Sequence, residues 1–340
     1  MATVAIIGAG SWGTALAQTL ASVNNKVVMW AHRDEVAQSI THNHRNPRYL
    51  SGIVLADNIS ATADLTEAVK DAEAVVIVTP SRLMREFALR LRGLISDATP
   101  IVICSKGVEE HTGMVPIQIF EEVLGNIDRL AALSGPNHAE EVVLGLPAGT
   151  VIASPSNETA AYFRDLFTTP SFRCYTSHDY IGIEICAAFK NVIAIAVGAS
   201  YGMGFGDNTA AMLMTRGMAE MSRLVTACGG HAFTVMGLAG AGDLVVTCTS
   251  EHSRNRTFGK ALAQGGTLEG YEERTHMVVE GALACKTICP LAARYNVELP
   301  IAEAVRSIVW EHGSLEKIAE ELFNRPLTTE FWGLADAKDV

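Results

Sequence analysis

The sequence is short of positive charge, of cysteine pairs at metal spacing and of uninterrupted apolar runs. Each shortage removes a class of function. Its 26 lysines and arginines face 37 acidic residues, for a formal net charge of −11, so it carries no general basic field for nucleic acid. An anionic metabolite would need cations placed locally. The seven cysteines are scattered. The closest pair, Cys285 and Cys289, has no second pair at zinc spacing, so no metal site is expected and free thiols in a reducing cytosol are the simplest reading. Residues 1–20 lack the basic start of a secretory signal. The longest apolar stretch, Ile181 to Val197, is broken by Glu184, Lys190 and Asn191, which argues for a buried helix rather than a membrane span. No repeat of fixed period and no low-complexity segment occurs. What is present is 340 residues, 49% apolar and 19% charged, enough for two soluble domains.

The first organised stretch is TVAIIGAGSWGTALA, Thr3 to Ala17. A short apolar run meets Gly8, Gly10 and Gly13, and an Ala/Leu-rich segment follows. This reads as strand, tight turn and helix with G-x-G-x-x-G at the junction, the pattern of a dinucleotide site. Gly8 permits the turn, Gly10 leaves room for a pyrophosphate, and Gly13 lets helix and strand pack closely. The helix would present free N–H groups to the phosphates. Lys26 to Trp30 reads as the second strand. A site restricted to NAD places Asp or Glu at that strand's end to hold the ribose 2′-hydroxyl; here Trp30, Ala31, His32 and Arg33 follow one another. Arg33 can accept a 2′-phosphate, so NADP, or either coenzyme, is expected. Asp34 and Glu35 read as the first turn of the next helix.

Residues 43–60 read as a polar loop, with a short strand at Ile53 to Leu55 and Tyr49 available to stack or hydrogen-bond. Further strands are expected at Ala74–Val78, Ile101–Cys104, Leu130–Leu133, Thr150–Ala153 and Phe172–Tyr175, with a helix over Leu83–Ile95 and another over Glu158–Phe167. Lys106 then sits at the carboxyl end of a parallel strand, the edge along which open α/β sheets bind ligands. From Asp179 on, period-two alternation nearly vanishes and helices are expected over 179–199, 208–228, 254–264, 278–295, 300–312 and 314–323. The expected fold is α/β: an N-terminal doubly wound Rossmann-type domain over 1–178, followed by an all-α C-terminal domain over 179–340.

Lys190 is the first chemical candidate. Its same-face neighbours at three and four residues are Cys186, Ala187, Ile193 and Ala194, none able to pair with an ammonium. Such a lysine either snorkels to the surface or serves a ligand, and desolvation would lower its pKa toward a range useful for proton transfer. Asn191 beside it could bond a substrate oxygen. Gly237 to Leu244 lacks the third glycine and a preceding strand, so it is read as a turn delivering Asp243, which either orients Lys190, bonds a substrate hydroxyl or caps a helix. Ser253, Arg254, Asn255 and Arg256 form a local cation and donor cluster ahead of a helix, suited to phosphate. Glu280 is a weaker candidate for holding the cofactor.

Taken together, GAGSWGTALA, SKG, SGPNHAEE, FKNVIAIAVG, GLAGAGDL, SRNRTFG and VVEG occur in the order found in bacterial NAD(P)-dependent glycerol-3-phosphate dehydrogenases, and the chain resembles that family over essentially its whole length. The resemblance implies a cytosolic oxidoreductase that uses NADP or NAD to interconvert dihydroxyacetone phosphate and sn-glycerol 3-phosphate for phospholipid synthesis. It implies Lys190 as proton donor or acceptor. Ser11, Trp12, Arg33, Lys106, Ala139, Val278 and Glu280 match cofactor positions, with His32 and Tyr49 matching less closely. Lys106, Gly135, Asn137, Asp243, Ser253, Arg254 and Asn255 match substrate positions, Arg254 serving cofactor and phosphate together. One departure is Pro136-Asn137-His138, where many members carry a serine followed by an aromatic residue. Two other readings remain open at this point: a dehydrogenase of similar layout, such as a ketopantoate reductase or a β-hydroxyacid dehydrogenase, and a sensor that binds NAD(P)H without turnover. The apolar helical half is compatible with a homodimer.

Overall fold

The computed structural model describes residues 2–330, 332 and 333. Two compact units divide the chain: residues up to Ser105 with Pro116–Tyr180, and Lys106–Val115 with the residues from Ile181 on. The ten-residue segment that begins at Lys106 therefore groups with the helical unit, whereas a single cut after residue 178 would leave it with the sheet.

The first unit is an eight-stranded sheet flanked by helices. Its elements are β1 (Thr3–Ile7), α1 (Ser11–Ser22), β2 (Lys26–Trp30), α2 (Asp34–Asn43), β3 (Ile59–Thr62), α3 (Leu65–Val69), β4 (Ala74–Ile77), α4 (Met84–Leu91), β5 (Ile101–Ile103), α5 (Pro116–Leu124), β6 (Leu130–Ser134), α6 (Ala139–Val142), β7 (Ala148–Ala153), α7 (Asn157–Phe167) and β8 (Phe172–Ser177). The strand order is β3-β2-β1-β4-β5-β6-β7-β8. Every pairing is parallel except β6 with β7. The first six strands thus follow the doubly wound dinucleotide-binding order. The central strands read as continuous β-branched and apolar runs because both of their faces are covered: β4 and β5 are buried at every residue.

Two expectations need correction. No strand forms at Ile53–Leu55. The backbone turns there, with Ile53 N–H donating to Leu50 O and Leu55 N–H to His44 O. The edge strand is β3 instead, Val27 pairing with Ile59. The helix expected over Leu83–Ile95 stops at Leu91, and Gly93 takes a positive φ of 76° two residues later, a conformation that ends helices.

The second unit is helical: α8 (Tyr180–Gly202), α9 (Asp207–Ala227), α10 (Asp243–Thr249), α11 (Arg254–Leu262), α12 (Leu268–Thr275), α13 (Glu280–Arg294), α14 (Pro300–Trp310) and α15 (Leu315–Phe323). Helix α8 is apolar on all sides and long enough to cross a membrane, but nearly all of it is buried among the others, as a central core helix should be. Gly259 brings α11 against it; a Cβ there would strike the carbonyl of Ile195. Glu220 of α9 ties α14 down, Oε1 accepting from Ile301 N–H at 2.7 Å and Oε2 from Ala302 N–H at 3.3 Å. Those N–H groups belong to a helix start that no neighbouring side chain caps, so an acid from elsewhere satisfies them.

Candidate active site

In the first unit, β1 ends at Ile7 and the chain turns at Gly8, whose φ is +125°. A Cβ there would lie 2.5 Å from Val78 O, and one at Gly13 would strike the carbonyl of Gly8. At Gly10 a Cβ would meet nothing within 4 Å. Two glycines are therefore required by the turn itself, while the third leaves space open at the start of α1. No side chain caps α1, so the N–H groups of Ser11 and Trp12 stand at a helix N-terminus suited to an anion. The residues present fit a dinucleotide pyrophosphate.

The turn is braced by Asn46, which sequence reasoning missed. Its buried amide donates to Ala9 O and to Thr14 Oγ1, both at 2.9 Å. Its Oδ1 accepts from the N–H groups of Arg48 and Tyr49, both at 3.1 Å. Tyr49 itself is exposed. Past β2, the His32 and Trp30 rings lie 6.1 Å apart and Arg33 is the N-cap residue of α2. The turn after β6 carries Gly135, Asn137 and Ala139. Asn137 Nδ2 donates to Gly149 O at 2.9 Å, tying that turn to β7, and Ala139 opens α6.

In the second unit, three residues far apart in sequence converge. Asp243 opens α10 after the π-helical turn Leu238–Gly242. Its Oδ1 lies 2.6 Å from Lys190 Nζ and its Oδ2 lies 2.6 Å from Lys106 Nζ. Lys190 also donates to Thr247 Oγ1 at 2.7 Å. The contact between Asp243 and Lys190 is of the kind expected if Asp243 orients the lysine. Thr247 lies one helical turn beyond Asp243 on α10, a helix too short to declare itself by periodicity. Burial pushes the Lys190 pKa down to about 8, Asp243 pulling it up and Lys106 pushing it down further. Burial works to raise the Asp243 pKa, but the ammonium groups of Lys106 and Lys190 outweigh it and hold the carboxyl below its ordinary value. The arrangement is an ionised carboxylate steadying a lysine that can give or take a proton near neutral pH.

Asn191, expected to bond a substrate oxygen, spends its own carbonyl oxygen within the protein. Its Oδ1 accepts from Asn255 Nδ2 at 2.9 Å, and its own Nδ2 donates to Ala187 O at 3.4 Å. Asn255 Oδ1 in turn accepts from Gly281 N–H at 2.9 Å. These two asparagines join α8, α11 and the start of α13, which places Val278 and Glu280 next to the same junction. Ser253 caps α11, accepting from Arg256 N–H at 3.3 Å, and Arg254 is exposed at that helix start.

A dinucleotide turn in a doubly wound sheet, with a buried lysine on an aspartate in a helical unit, defines an NAD(P)-dependent dehydrogenase of two-unit type. The comparisons narrow this. Residues 3–160 match the family model of the NAD-dependent glycerol-3-phosphate dehydrogenase N-terminus and residues 179–320 that of its C-terminus. The chain belongs to the NAD-dependent glycerol-3-phosphate dehydrogenase family. It is 44% identical over 327 residues to glycerol-3-phosphate dehydrogenase [NAD(P)+] of Corynebacterium urealyticum, covering 96% of this chain and 98% of that one. It is 44% identical over 328 residues to the enzyme of that name from Moorella thermoacetica, covering 96% and 97%. The crystal structure of glycerol-3-phosphate dehydrogenase from Coxiella burnetii superposes with a TM-score of 0.91 at 34% identity, over 95% of this chain and 99% of that one. A ketopantoate reductase from Ralstonia eutropha, at 17% identity and a TM-score of 0.60 over 94% and 99%, shares the fold alone.

Proposed function

We propose that the chain catalyses the reversible NAD(P)H-dependent reduction of dihydroxyacetone phosphate to sn-glycerol 3-phosphate, with Lys190 as proton donor and acceptor. The observation that carries the role of Lys190 is the count of its donors. An ammonium has three N–H bonds; Asp243 Oδ1 and Thr247 Oγ1 take two, which leaves one for a substrate oxygen.

When bound, the nicotinamide supplies hydride to the C2 carbonyl carbon. Lys190 protonates the oxygen as charge develops on it, and its pKa of about 8 suits transfer in either direction. In oxidation, neutral Lys190 takes the hydroxyl proton instead. Asp243 stays ionised, holding the amine in one place and balancing the ammonium. Lys106, on the other oxygen of Asp243, adds positive potential beside the carbonyl oxygen. Ser253, Arg254 and Asn255 hold the phosphate at the α11 N-terminus, supplying remote binding energy for positioning. Gly135 and Asn137 complete the substrate contacts. Gly8, Gly10, Ser11, Trp12 and Gly13 take the pyrophosphate, His32, Arg33 and Tyr49 the adenosine end, and Lys106, Ala139, Arg254, Val278 and Glu280 the rest of the cofactor.

On this reading the sheet unit is the cofactor domain and the helical unit the substrate domain. The enzyme works in the cytoplasm, as a homodimer, and supplies glycerol 3-phosphate for glycerophospholipid synthesis. Light scattering of the purified protein checks the dimer. Mixing the protein with NADPH and dihydroxyacetone phosphate tests the activity: nicotinamide absorbance should fall. Dihydroxyacetone without phosphate and ketopantoate should be poor substrates. No fall with dihydroxyacetone phosphate, or an equal one with ketopantoate, would overturn the reading.

A further inference from the structure

Three charged side chains meet beside the carboxyl end of β2, and only Arg33 among them has a role so far. Glu35, in the first turn of α2, has its Oε1 3.7 Å from Arg33 Nη1 and 3.5 Å from Arg48 Nη1. Two guanidinium groups thus converge on one carboxylate oxygen, although they come from separate segments of the chain, the head of α2 and the loop beyond α2. All three side chains are well exposed, at 56%, 67% and 43% for Arg33, Glu35 and Arg48. Ion pairs this open to water are weak and exchange readily for a better anion. A phosphate dianion is such an anion: it offers several acceptor oxygens to two planar forks at once.

Arg48 is anchored to the dinucleotide turn. Its backbone N–H donates to Asn46 Oδ1, and the same buried amide donates to Ala9 O inside the dinucleotide turn and to Thr14 of α1. Asn46 is 1% exposed and uses both of its amide donors and two acceptor directions. The start of the Arg48 loop is therefore held in register with the turn that receives the pyrophosphate. Arg33 is held separately, at the head of α2, whose N-terminus no side chain caps. A cation carried on a polar loop would ordinarily wander. Here one asparagine fixes its base relative to the phosphates, and the helix fixes the other cation.

We propose that Arg48 is the second arm of a 2′-phosphate clamp shared with Arg33, that Asn46 sets its register to the dinucleotide turn, and that Glu35 is the counterion the 2′-phosphate displaces. This rests on the reading that the chain accepts NADP(H). It makes coenzyme selection a contest at one point. The phosphate of NADP(H) replaces the Glu35 carboxylate between the two arginines. NAD(H), without that phosphate, leaves the carboxylate where it is.

The test uses the whole chain and calorimetric binding of 2′,5′-ADP, ADP, NADPH and NADH, so that no turnover is required. Wild-type protein should bind 2′,5′-ADP more tightly than ADP. Arg48→Ala should weaken 2′,5′-ADP and NADPH about tenfold or more, the scale of a lost hydrogen bond to a charged group, and leave ADP and NADH unchanged. Glu35→Gln should tighten 2′,5′-ADP and leave ADP unchanged. An Arg48→Ala protein that keeps its preference for 2′,5′-ADP, or that loses ADP by the same factor, overturns the clamp. A Glu35→Gln protein with unchanged or weaker 2′,5′-ADP binding overturns the counterion role. Wild-type protein with no preference for 2′,5′-ADP overturns the NADP reading and the clamp with it. Arg48 and Glu35 are both exposed, so the variants should fold, and an unchanged thermal midpoint checks that they do.

Discussion

The Nζ of Lys190 lies 2.6 Å from the Oδ1 of Asp243, a residue 53 positions later in the chain. That contact explains how an apolar core helix tolerates a lysine. The ammonium leaves water, at a cost that burial registers as a lowered pKa, and meets an ionised carboxylate and a hydroxyl that offset much of that cost. The proposed proton transfer rests on the same contact, because one environment lowers the lysine toward about 8 and keeps the carboxylate ionised.

Lys190→Ala should reduce kcat by about 10² to 10⁴, the range of positioned acid–base catalysis. Its NADPH dissociation constant should stay near the wild-type value. Steady-state rates alongside a fluorescence titration of NADPH check both halves. Near-normal turnover would remove Lys190 from the mechanism.

The two reaction directions should show opposite pH limbs. Glycerol 3-phosphate oxidation needs neutral Lys190, so its kcat/KM should rise with pH and level off above about 8. Reduction needs the ammonium, so its kcat/KM should fall above the same point. The free-enzyme pKa read from kcat/KM is the one that applies. Limbs of the same sign in both directions would assign the proton to another group.

Asp243→Asn removes the charge that pulls the Lys190 pKa up. The oxidation limb should move to lower pH. The fold should lose about 3–5 kcal/mol, the usual cost of breaking a buried charge pair, with buried Lys190 bearing most of the loss and half-buried Lys106 less. Denaturant unfolding and the pH profile measure these separately. A pH limb that stays in place would mean Asp243 does not govern the lysine.

The glycines of the turn should separate by function. Gly13→Ala drives a Cβ into the Gly8 carbonyl and should destabilise the fold by about 1–3 kcal/mol, as overpacking does. Gly10→Ala meets nothing within 4 Å; its thermal midpoint should hold while NADPH binding weakens. Thermal melts with and without NADPH distinguish the two.

Glu220 should make stability depend on pH in the direction opposite to most acids. Burial raises its pKa from 4.5 to about 7, against the pull of the Ile301 and Ala302 N–H groups. Between those values the folded chain binds more protons than the unfolded one, so this group's contribution falls as pH rises from 4.5 to 7 and stays at its low level above 7. Glu220→Gln should remove that slope. Urea unfolding of both proteins from pH 5 to pH 8 checks it; parallel curves would sink the assignment.

Much of the sheet unit was legible because its signals are local. β-Branched runs bounded by turn residues mark buried strands, and the glycine turn declares itself by backbone requirements that no other residue meets. Where the local signal is thin, sequence and structure part. Ile53–Leu55 is apolar enough for a strand but turns, whereas the polar ISAT of β3 carries no strand signal of its own and yet pairs along β2. In the helical unit the period was legible, but short α10 and α12 were not, since seven- and eight-residue helices give little periodicity.

Read alone, the sequence yields the doubly wound class of the first unit, the dinucleotide turn, the missing acid after Trp30 and a lysine without a partner on its own helix. These follow from the chain's local periods and from what single residues permit. Tertiary packing settles what meets that lysine: its Nζ bonds Asp243 Oδ1 and Thr247 Oγ1, while Lys106 takes the other oxygen of the same carboxylate. It likewise joins Asn191 to Asn255 and, through Asn46, ties the start of the Arg48 loop to Ala9 in the dinucleotide turn. Such pairings join residues tens of positions apart. They depend on which helix faces pack together, and that is settled by shape and burial across the whole fold rather than by any local stretch of the chain.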